Sequence, residues 1–151
     1  MAQLVQRTLS PAQQGALPDL QRLVAAWAAE RPIRLVVLFG SRAKGTHREE
    51  SDVDLAVWPR TPPPPEERLR WLGELDALVD RDLSVVVVGN DIDAVLGFEI
   101  ARSGRPLYQS RPELWETERA RLWHAYEDSL PFRRAVREDL RRFADRVRRG
   151  A

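Results

Sequence analysis

Cysteine is absent from all 151 residues, which removes disulfide bonds, zinc–thiolate sites and thiol nucleophiles from consideration. Histidine is scarce: His47 and His124 are too few for a histidine-built metal centre. No charge dominates. With 24 Lys+Arg against 23 Asp+Glu the formal net is +1, so bulk positive charge is excluded as a means of holding nucleic acid, and only a local basic patch stays open. Long hydrophobic runs are missing as well: runs such as 35–39 and 85–88 are strand-length and far short of a membrane span. The opening residues MAQLVQRTLSPAQQ lack a charged leader and an extended apolar stretch, so a cytoplasmic chain without a membrane partner is expected. Lysine is nearly lacking too, for 23 of the 24 basic residues are Arg and Lys44 stands alone.

What is present suits one domain with a real core, since 43% of the residues are hydrophobic. Apolar periodicity switches repeatedly along the chain. Residues 18–30 read as a helix with Leu20, Leu23, Val24 and Trp27 on one stripe, stopped by Pro32. Residues 33–39 are a nearly continuous apolar strand fit for a sheet interior. Residues 52–58 alternate as a second strand. The TPPPPEE stretch at 61–67 is a stiff connector that opens a helix over 66–80, and 83–88 is a third strand. A helix over 92–103 stopped by Gly104 follows, then a short edge strand at 107–108. Two helices, with Pro131 in the first turn of the second, fill 112–149. The pattern predicts a small α/β (α+β) domain, a mixed sheet with flanking helices.

The stretch that carries chemistry is LFGSRAKGTHREESDVDLAVW, residues 38–58. It leaves a buried-type strand, turns at Gly40–Ser41 and passes a polar loop. It then enters a strand bearing Asp52 and Asp54. Strand alternation puts both carboxylates on one face, about 7 Å apart, with Val53 and Leu55 on the other. A divalent cation relieves the repulsion between them, and hard oxygen ligands suit Mg²⁺. Gly40 and Ser41 offer backbone N–H groups and a hydroxyl to a phosphate, with Arg42 and Lys44 adding positive charge. Ser51 organises the loop through its backbone.

These residues resemble a known signature. GSRAKGTHREESDVDL is similar to the Gly-Ser, gap, Asp-x-Asp motif of the minimal nucleotidyltransferases, the MNT branch of the DNA polymerase β superfamily, and a weaker likeness extends through FEIARSGRPLY at 98–108. The resemblance implies the polymerase β-like nucleotidyltransferase fold over residues 1–110, with residues 111–151 as a helical extension packed on the same domain. It implies that ATP or another nucleoside triphosphate is the substrate. Gly40, Ser41, Arg42, Lys44 and Ser51 would hold its phosphates, while Asp52 and Asp54 would bind two Mg²⁺ ions, or one. AMP would pass to an acceptor with release of pyrophosphate. Stand-alone members of this branch pair with helical HEPN-domain toxins, so a HEPN-type partner and an antitoxin role are implied.

One position departs from the pattern. The family's third carboxylate would fall on Ser84 or Val85 in DRDLSVVVVG, and Asp82, two residues before Ser84, is the nearest substitute as a metal ligand. The expectation is therefore an Mg²⁺-dependent adenylyltransferase. Its alternative is a catalytically degenerate module that binds nucleotide or neutralises a partner by contact.

The C-terminal stretch stands apart. Residues 132–151 hold eight Arg and three acidic residues, a net of +5, leaving about −4 for residues 1–131. Phe132, Val136, Leu140, Phe143 and Val147 recur every three or four residues as one narrow stripe. The favoured reading is a helix docked on the domain, with RNA or an acidic partner as the functional options; a homo-oligomer also stays open. Tryptophans 27, 58, 71, 115 and 123 mostly fall on apolar stripes and are expected in the core, with a partner surface as the alternative for Trp115 and Trp123.

Overall fold

The computed structural model, which describes residues 17–40, 53–79 and 82–150, turns the alternating periodicities into a layered sheet. Helix α1 (Leu17–Ala29) leads to strand β1 (Ile33–Phe39), and strand β2 (Val53–Pro59) leads to helix α2 (Pro65–Leu78) and strand β3 (Leu83–Val87). Helix α3 (Ala94–Ser103), strand β4 (Arg105–Gln109) and helices α4 (Leu114–Asp128) and α5 (Leu130–Gly150) complete the order. The sheet runs β3-β2-β1-β4. β1 pairs antiparallel with β2 and β4, whereas β2 and β3 run parallel across the α2 crossover. The mixed sheet and flanking helices are those expected.

β1 sits in the middle with both faces covered, which is why its sequence is apolar at nearly every position. Val36 and Leu38 face one layer with Val53, Leu55 and Val57 of β2, under α1 and α2. Leu35, Val37 and Phe39 face the other with Ala56 and Trp58, under α3 and α4. A register shift between Ile33 and Leu35 sends both ends of β1 to the correct layer. Each layer closes on a tryptophan pair in edge-to-face contact: Trp27 with Trp71 at 6.2 Å, and Trp58 with Trp115 at 6.0 Å. Trp115 is thus core, not partner surface, while Trp123 remains partly exposed beside Phe98.

The prolines at 62–65 behave as read. Pro65 occupies the start of α2, where no N–H is needed, and Glu66 and Glu67 fill the first turn.

α5 does not. α4 docks through Leu114, Trp115 and Leu122, but no residue of α5 is buried. Phe132, Leu140 and Phe143 are 72%, 62% and 59% exposed, so the docked helix expected from the stripe is not found in the single chain. Its start is nevertheless held: the Arg133 guanidinium lies 3.8 Å over the Tyr126 ring and donates to Ser129 Oγ and Tyr126 O, each at 2.9 Å.

Candidate functional site

β1 and β2 end together where their chains part, and the register there aligns the chemistry. Phe39 pairs with Asp54 across the antiparallel ladder, and Asp54 pairs with Ser84 across the parallel one. Alternation along β2 sends Val53 and Leu55 into the α1/α2 layer, both buried, and turns the half-buried Asp54 to the α3 side. Asp54 therefore sits at the rim of the sheet. Its lateral neighbour is the exposed Ser84, one of the two positions, with Val85, at which the resemblance puts a third carboxylate.

The turn after β1 is fitted to that carboxylate. Gly40 has φ +80°, a conformation that L side chains rarely adopt, and a Cβ placed on it would lie 2.7 Å from Asp54 Oδ2. Glycine is thus required twice, by its dihedral and by the close approach. The Gly40 N–H donates to Ser103 Oγ at 3.1 Å.

Ser103 is the last residue of α3, buried, and its hydroxyl donates to Glu99 O at 2.8 Å. Nothing local marks it; only its place within the 98–108 segment hinted at a role. The neighbouring Gly104 lets α3 press on β1, because a Cβ there would lie 2.7 Å from Val37 Cγ1 and 2.8 Å from Trp115 Cζ2.

Asp82 is exposed, and its carbonyl accepts the Val53 N–H at 2.8 Å, so the β2–β3 ladder already begins at this residue. Asp54, Ser84 and Asp82 are hard oxygen donors of the kind a small divalent cation takes, and the first two are neighbours across the parallel ladder. No group of three His, Cys, Asp or Glu residues able to hold a metal occurs among the described residues. Ser41, Arg42, Lys44, Ser51, Asp52 and His47 lie outside the described residues. His124 is exposed on α4 and stands apart from any such group.

Against known proteins, the sequence model of the family described as "Polymerase beta, Nucleotidyltransferase" matches residues 21–113. No curated protein matches significantly. Among solved structures, a chain of a toxin–antitoxin crystal structure with AMP-PNP superposes with a TM-score of 0.69 at 21% identity, covering 80% of this chain and 97% of that one. A chain of the MntA–HepT toxin–antitoxin gives 0.65 at 19% identity, with 80% and 95% covered. A chain of a complex from Shewanella oneidensis, described as a tri-AMPylated HEPN toxin with MNT antitoxin, gives 0.62 at 20% identity, with 80% and 98% covered. These likenesses establish a shared fold.

Proposed function

We propose, for a chain that belongs to the polymerase β nucleotidyltransferase family, that it moves AMP from ATP to an acceptor protein, a HEPN-type toxin for which it is the antitoxin. The observation that carries the reading is the Gly40–Asp54 contact: a glycine at positive φ lying close against a strand-borne carboxylate at the sheet rim. Such a cradle suits a phosphate and its cation. The similar folds solved with AMP-PNP and with an AMPylated HEPN toxin support nucleotide and partner class.

In this reading Asp54, with Asp52, orients the triphosphate and holds Mg²⁺, which when bound neutralises phosphate oxygens and lowers the pKa of the attacking hydroxyl. Ser41, Arg42 and Lys44, with Ser51 ordering the loop, hold the β- and γ-phosphates. The acceptor hydroxyl attacks the α-phosphorus, the α–β phosphoanhydride bond breaks, and pyrophosphate leaves with the displaced electron pair. The chain's own contribution is positioning and charge neutralisation. The reaction takes place in the cytoplasm.

The test is transfer of label from α-labelled ATP to a co-purified HEPN-type protein in Mg²⁺. Asp54→Asn should abolish both transfer and Mg²⁺-dependent ATP binding. Retention of either overturns the site.

A second reading is favoured by one observation. Ser84, not a carboxylate, stands beside Asp54, so a module that binds nucleotide and neutralises its partner by contact fits the same geometry. The uncovered stripe of α5 is the surface for that contact. Stoichiometric ATP binding without label transfer would select this reading.

A further inference from the structure

Gly40 poses an accounting problem that β1 does not solve. Among the described residues the β1–β2 register runs to Phe39 and Asp54 and includes no partner for the Gly40 N–H. Its acceptor comes from 63 residues away in sequence, the Ser103 hydroxyl at 3.1 Å. That hydroxyl has one proton, which goes to Glu99 O at 2.8 Å, leaving an oxygen lone pair aimed at Gly40. Ser103 is 8% exposed, so water does not replace it readily.

We propose that Ser103 is the positioning residue of the site, fixing the Gly40 turn and through it the space beside Asp54. The chain of contacts is short. Gly104 allows the end of α3 to lie against Val37 and Trp115, which places Ser103 under the turn. Ser103 holds the Gly40 amide, and Gly40, at φ +80°, lies so close to the Asp54 carboxylate that a Cβ on it would force that carboxylate or the turn to move. Without the Ser103 oxygen, the half-buried Gly40 N–H loses its partner and Gly40 shifts to find another. Phosphates and cation would then meet a cradle of the wrong shape. The ligand part of this inference rests on the nucleotide reading above; the geometric part stands without it.

The experiment uses the full chain and two readouts. The first is amide hydrogen exchange without ligand, comparing Gly40 with Val37 in the middle of β1. The second is affinity for AMP-PNP with Mg²⁺. Ser103→Ala should speed Gly40 exchange at least tenfold while Val37 keeps its rate, and should weaken AMP-PNP binding by roughly tenfold to a hundredfold. Ser103→Thr, which keeps the hydroxyl, should restore both. If the alanine variant does not fold, Ser103→Cys keeps the size, weakens the acceptor and should show the same selective change. Equal acceleration at Gly40 and Val37, or wild-type exchange at Gly40, overturns the proposal. Should the wild-type chain bind no AMP-PNP, the nucleotide reading falls and the exchange rates alone decide the role of Ser103.

Discussion

Consider Gly40→Ala. Its two penalties can be separated. At φ +80° an L-residue pays about 1–2 kcal/mol for the left-handed conformation. The new methyl would also lie 2.7 Å from Asp54 Oδ2, closer than real Cβ atoms approach, so the carboxylate must rotate or the turn must open. The conformational term alone lowers the midpoint of thermal unfolding by about 2–8 °C in a chain of this size. The steric term falls on Asp54, and so on ligand binding rather than on stability. Gly40→Asn tells them apart, because asparagine tolerates the left-handed region yet carries the same Cβ. Differential scanning calorimetry should therefore show Asn closer to wild type than Ala. Titration with Mg²⁺ and AMP-PNP should show both variants weakened alike, by tenfold or more. If Ala melts with wild type, or Asn binds with wild-type affinity, the fitted turn beside Asp54 is not what makes the site.

Two further outcomes follow from particular positions. Ser84→Asp places a carboxylate beside Asp54 in the parallel register and should raise label transfer; no gain would show that position 84 does not limit turnover. Replacing Leu140 and Phe143 together by Glu touches only exposed positions on α5, so stability of the isolated chain should change by less than about 1 kcal/mol, while co-purification of a HEPN-type partner is lost. Retained co-purification would place the partner surface elsewhere.

Much of the architecture was legible because it depends on local periodicity. The nearly unbroken apolar run of β1 pointed to a strand covered on both faces, and the alternation Val53, Asp54, Leu55 put Asp54 on the opposite face from its two apolar neighbours. Pro65 and the acids after it marked the start of α2 for reasons confined to that turn. Trp115 and Trp123, by contrast, looked alike in sequence. Only the packing of α4 on α3 and β2 distinguishes them, since the inward side holds Leu114, Trp115 and Leu122 and leaves Trp123 beyond it. The same limit applied to α5. Its stripe was readable, but whether the domain covers it was not, and no residue of α5 is buried.

The sequence alone therefore determined the order and type of the elements, the mixed sheet they form and the motif that marks the site, because backbone propensity, proline and strand alternation act over a few residues. The tertiary structure decided what stands next to what. It set Ser84 beside Asp54 through the β2–β3 register, and it brought Ser103 beneath Gly40 by laying the end of α3 against β1. These are contacts between segments distant in sequence. They arise from the closing of two hydrophobic layers on one sheet, and no local pattern encodes them.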